Sequence, residues 1–143
     1  MGHDGWRGTA AARVMLRLVA IVTPLYWIVF FATGSLTPSP SDCGYRFELA
    51  FPAADLWMAA TAAVAAAGLA RGRRWGRAAA LLTAGSLIYL AAMDILFDFE
   101  NGVYLALRPR TLVEVVINLS CLGFGTYLTV MMLPEPAGAN AQP

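Results

Sequence analysis

The chain has 143 residues, 59% of them hydrophobic and 13% charged, with ten basic against nine acidic side chains and a net charge of +1. Soluble domains carry about 25% charged residues, so this composition excludes an ordinary water-soluble domain. The near-neutral balance also gives no footprint for nucleic acid, and no nucleic-acid partner is expected.

Four nearly uncharged runs, at residues 14–33, 51–70, 78–97 and 112–133, are each about twenty residues long. At about 1.5 Å per residue each can cross a hydrocarbon core of about 30 Å. They predict an all-α fold, a four-transmembrane-helix bundle forming a single membrane domain over residues 1–133. Residues 134–143, rich in Pro, Ala and Gly, read as a disordered tail. Localisation follows as a multi-pass protein of the cell membrane, with the lipid bilayer as its first partner. All ten basic residues are arginine. Seven of them (Arg7, Arg13, Arg17, Arg71, Arg73, Arg74 and Arg77) fall on one side of the predicted spans, against Arg46, Arg108 and Arg110 on the other. The excess of positive charge marks the cytoplasmic side, so both termini, and the tail with them, are expected inside.

In chain order, the first run carries Arg17 one turn in, where its head can snorkel to the headgroups. Pro24 should kink the helix and free a carbonyl. Tyr26 and Trp27 lie too deep for an interfacial belt and read as packing residues. The same run, with its basic start and Ala32-Thr33-Gly34, also fits a signal peptide, although it is longer than the usual apolar stretch of 7–15 residues. Residues 34–44 form a Pro/Ser/Gly-rich connection containing Cys43, which reads as a free thiol or an intermolecular link. Residues 45–49 permit a short strand.

Pro52 suits the first turn of the second helix and places Asp55 about one turn inside. The alanines that follow let neighbouring backbones approach closely, which predicts this helix at the centre of the bundle. Arg71-Gly72-Arg73-Arg74-Trp75-Gly76-Arg77 reads as a tight turn that fixes topology. The third run places Thr83, Ser86, Leu90 and Asp94 on one face, a polar stripe leading to an acid. After it, Asn101-Gly102 signals a turn, with a short β-hairpin in the outer loops as one outcome. In the fourth run Thr111 and Glu114 match a capping box. Asn118 and Cys121 share the face of Glu114, and Cys121 reads as a small packing residue.

The acids point to a site. Asp55 and Glu114, each in a first turn, are favoured by the helix dipole and have a structural account. Asp94 nears a helix C-terminus, where the dipole disfavours an anion. It needs a proton, a hydrogen bond from Asn118, or a cation, with Arg108 and Arg110 as ion-pair candidates. Given the orientation, Asp55, Asp94, Glu114 and Asn118 all fall in the outer half of the bundle. They are the candidate ligand-binding residues, a coupled set suited to a proton, a cation or a small polar or amine ligand. Two other readings stand beside this one. The chain could be a structural or accessory subunit, as a homo-oligomer or with a larger membrane partner. It could also be a lipid-modifying enzyme using a protonated carboxyl. Against the enzyme, His3 is the one histidine, and there is no metal-ligand cluster, no serine–histidine pair and no phosphate loop. No cofactor and no metal are expected.

Phe51-Pro52-x-x-Asp55-x-Trp57, Arg71-Gly72-x-x-Trp75-Gly76-Arg77, Met93-Asp94 and Asn101-Gly102-x-Tyr104 together resemble small uncharacterised four-helix bacterial integral membrane proteins. That resemblance covers most of the chain and implies no activity. The likeness to EXPERA (sterol-isomerase-like) domains is one of helix number and intramembrane acids, and no residue role is carried over from them.

Overall fold

The computed structural model describes residues 3–33, 46–105 and 109–133. Four helices follow one another: α1 (His3–Thr33), α2 (Pro52–Ala70), α3 (Arg74–Glu100) and α4 (Pro109–Met132). Each contains a stretch long and apolar enough to cross a membrane. The protein is an all-α four-helix bundle of the integral membrane type. Many large side chains are turned outward, as Ile21, Leu25, Ile28, Val64, Leu82, Leu119 and Val130 show, while Leu16, Phe30 and Leu128 are fully buried. Between the helices the interior is rich in alanine: Ala62, Ala65, Ala80, Ala84 and Ala91 are almost fully buried. In hydrocarbon, burying a large apolar residue gains little, so helices associate where small residues let their backbones close.

That closure is tightest between α2 and α3. Gly68 and Gly76 face one another so closely that a methyl group on Gly76 would overlap the backbone of Gly68 and Leu69. The connection that makes this approach ends α2 on Gly72, at φ +62°, with Arg73 N donating to Gly68 O at 2.9 Å. The left-handed conformation at Gly72 is one that a side chain would resist. Farther along the same interface Thr83 Oγ1, fully buried, donates to Thr61 Oγ1 at 3.1 Å. α4 is tied to the same end of the bundle by Arg77, which donates to Met132 O at 2.8 Å and so satisfies a free carbonyl at the helix C-terminus.

Each helix packs along the next in sequence, α1 on α2, α2 on α3 and α3 on α4, while α1 and α4 barely meet. The inner position predicted for the second helix is therefore shared by α2 and α3. The ring is nearly open between α1 and α4.

Several expectations are corrected. Residues 46–48 form a helical turn and Val103–Leu105 a 3-10 turn, so among the described residues there is no strand and no hairpin. Asn101 explains the second of these. Its backbone N–H and its side-chain Nδ2 both bond Phe97 O, at 3.0 and 2.8 Å, and Gly102 follows at φ +65°. Asn-Gly here terminates a helix, with glycine in the left-handed position that a helix end requires. The capping box also fails. α4 begins at Pro109, which puts Thr111 inside the first turn and Glu114 beyond it, so the helix N-terminus does not account for Glu114. The polar stripe on α3 is interrupted: Thr83 turns to α2, and Ser86 bonds back to Leu82 O of its own helix. Cys43 and the tail at 134–143 lie outside the described residues.

Candidate functional site

The end of the bundle away from the arginine turn is built from aromatic and acidic side chains. On α1, Tyr26, Trp27, Phe30 and Phe31 form a cluster with ring centroids 5.0–6.3 Å apart. Trp27 is buried and donates through Nε1 to Asp55 Oδ2 at 2.9 Å, joining α1 to the first turn of α2. Tryptophan buried in a membrane protein needs an acceptor for its N–H, and Asp55 supplies it. The turn at 46–48 is held down by Phe47, whose ring stacks on Phe97 of α3 at 3.8 Å and meets Phe51 edge-on at 4.8 Å. That contact sets Glu48 over the ends of the helices.

Beneath it lies a cavity of about 630 Å³. Its polar wall contains Glu48, Asp55, Asp94, Glu114 and Asn118, and its aromatic wall Tyr26, Trp27 and Phe51. The four candidate site residues read from the sequence, Asp55, Asp94, Glu114 and Asn118, thus all reach one space from three helices. Among the described residues no arginine lines it. Arg108 lies outside the described residues, as does the side chain of Arg110, so neither ion-pair candidate is placed against Asp94. The charged neighbours of Asp94 among the described residues include the acids Asp98, Asp55, Glu48 and Glu114.

Asp98 sits behind the cavity wall. It is buried and lies beside Glu114 and Tyr104. The second oxygen of Glu114, Oε2, is buried without a hydrogen-bond partner among the described residues, and so is the amide nitrogen Nδ2 of Asn118. Asn118 is only 3% exposed. Buried polar atoms are almost always satisfied, and leaving one bare costs about 1–3 kcal/mol. Here two such atoms, one acceptor and one donor, belong to residues that line the same cavity.

Glu48, outside the spanning segments, responds to this environment. Burial, followed by the fields of Asp94, Asp55 and Asp98, pushes its carboxyl up to about 7. Burial and then the charge of Asp98 likewise raise the Tyr104 hydroxyl above its ordinary value. Among the described residues no group of three His, Cys, Asp or Glu side chains is arranged to hold a metal ion.

Three members of this end were not singled out from the sequence. Asp98 was within reach, since it lies four residues after Asp94 and so on the same helix face. Glu48 carried no such signal, because Phe47 stacked on Phe97 is what places it. Trp27, read as a packing residue, is buried as expected and also supplies the hydrogen bond to Asp55. No protein-family model, curated protein or solved structure matches the chain.

Proposed function

We propose that this integral membrane protein binds a small cation, with an amine or quaternary ammonium head as the best fit, in the acidic cavity at the outer end of its helices. The observation that carries this reading is the cavity's composition. Four carboxyl groups line it with no described arginine among them, beside a buried, unpartnered asparagine amide. Carboxylates kept together at membrane depth without a counter-ion are expensive, and a ligand bearing positive charge offsets that cost. Tyr26, Trp27 and Phe51 add aromatic faces, which attract quaternary ammonium groups. The volume is within the range of about 300–1,000 Å³ usual for small-molecule sites. The arrangement suits an organic cation better than a bare metal ion, in keeping with wide aromatic walls and with no converging metal ligands among the described residues.

The test is binding of butyltrimethylammonium, followed by native mass spectrometry of the protein in a maltoside detergent. The parent is expected to bind one cation, and Asp94→Asn, which keeps shape and removes charge, to lose about tenfold or more in affinity while unfolding at the same temperature. Equal binding by parent and variant, or binding by neither, would overturn the proposal.

A further inference from the structure

The cavity is amphipathic along its length, and the direction of that gradient says what the cation is attached to. α1 and α3 run toward the acidic end and α2 and α4 away from it, so depth can be read from residue number. The carboxyl groups and Asn118 lie at the upper level. Deeper the walls become mostly apolar, with Leu18, Val22, Met58, Leu90 and Cys121, and with the hydroxyl of Thr23 among them. From Trp27 down to Leu18 the lining of α1 descends about 13 Å at helical rise. A small hydrophilic cation would fill the top of such a space and leave its lower half empty or lipid-filled.

The cavity also has an opening where the bundle has no wall. α1 and α4 barely meet, yet both line the cavity, so the space between them is a slot facing the bilayer. Its lips are Leu18 and Val22 on α1 and Val113 and Ile117 on α4, all apolar and all about half exposed. Apolar lips in contact with hydrocarbon admit an alkyl chain sideways, while a charged head reaches the carboxyl groups near the headgroup level. Asn118, buried to 97% with its amide nitrogen bare, stands at the boundary between the two halves. There it can donate to an ether, ester or hydroxyl oxygen close to the head.

We infer, resting on the cation reading above, that the ligand is a single-chain cationic amphiphile that reaches the site laterally between α1 and α4, with its head among Asp55, Asp94 and Glu114 and its chain against Val22, Leu90 and Cys121. The pairing of a polar end with an apolar end through one lateral slot is what supports this, and neither end would suffice alone.

The experiment uses the full chain in maltoside detergent and a series of n-alkyltrimethylammonium ions from butyl to decyl, counted by native mass spectrometry, with a neutral decyl glycoside as control. Referred to the free aqueous concentration of each ion, affinity is expected to rise about tenfold or more from butyl to decyl, because relative to water the longer chain gains an apolar wall. The neutral decyl compound should bind far more weakly. Val22→Trp fills the slot from a lipid-facing position, where a large residue is tolerated. It should weaken decyl binding far more than butyl binding, and so abolish the gain with chain length. The cation reading fails if the butyl ion does not bind or ignores Asp94→Asn. The amphiphile inference alone fails if butyl and decyl ions bind equally, or if Val22→Trp weakens both to the same degree. Ile117→Trp, on the opposite lip, repeats the test should Val22→Trp fail to fold, and equal chain dependence in it and the parent would overturn the slot.

Discussion

At the arginine-rich end of this bundle the helices touch backbone to backbone; at the acidic end they are held apart by rings and carboxyl groups. Gly68 against Gly76, the alanines of α2 and α3, and Arg77 on the last carbonyl of α4 close the seams between α2, α3 and α4 at the first end, where the open space is a hollow between α1 and α2 beside Arg17 and Arg71. At the second, the aromatic cluster of α1, the Phe47–Phe97 stack and four half-buried acids surround a space. The same four helices supply both ends, so the difference lies in side-chain size and charge. Small residues give a membrane bundle its cohesion, and the end without them is free to carry a site at the cost of bare polar atoms.

That contrast can be broken from either side. The largest effect is expected at the tight end. Gly76→Leu forces α2 and α3 apart and should lower stability by about 3 kcal/mol in thermal or denaturant unfolding in detergent. If the variant unfolds like the parent, the two backbones do not meet as described.

At the open end, Glu48 makes the site pH-sensitive in a direction that can be worked out. Its carboxyl stands at about 7 against an ordinary 4.5, so the folded state holds a proton that the unfolded state has released between those values. Its contribution to stability is therefore complete below about 4.5 and lost as pH rises through about 7. Cation binding carries the opposite sign, because only the ionised carboxylate attracts. Affinity for a permanently charged ammonium ion should rise several-fold between about pH 6 and pH 8, and Glu48→Gln should flatten that rise. An unchanged profile in the variant would remove Glu48 from the site.

A smaller effect is expected where the two regions are stitched together. Trp27→Phe keeps the ring cluster and removes the N–H that Asp55 accepts, which should cost about 1 kcal/mol of stability. Asp55→Asn keeps an acceptor in place and should cost less, and the reverse order would show that the charge of Asp55, not the hydrogen bond from Trp27, matters at this joint.

The fold was legible because the bilayer leaves few choices. Four uninterrupted apolar runs can satisfy their backbones only as helices, and residues 14–33, 51–70, 78–97 and 112–133 fall within or against α1 to α4. The helices extend past those runs, with α3 continuing from Arg74 to Glu100, because charged residues end the hydrocarbon span without ending the hydrogen-bonded ladder. The convergence of Asp55, Asp94, Glu114 and Asn118 was also readable, from alternating helix direction and depth. What could not be read was set by contacts between elements. Phe47 on Phe97 turns a permitted strand into a helical turn and brings in Glu48. Asn101 folds back on Phe97 rather than opening a hairpin. Pro109 starts α4 early enough to leave Glu114 outside any cap. Each of these depends on a partner distant in sequence or on a helix boundary a few residues from its apparent place.

The central claim is that a cationic head rests among the acids of three helices, and photolabelling tests it most directly. A decyltrimethylammonium ion carrying a diazirine beside its head, cross-linked to the full protein and mapped by peptide mass spectrometry, is predicted to label Tyr26 and Trp27 on α1 and the 113–118 segment of α4. Excess unlabelled decyltrimethylammonium should displace it. Labelling at the arginine turn of residues 71–77, or spread evenly over the lipid-facing side chains without displacement, would contradict it.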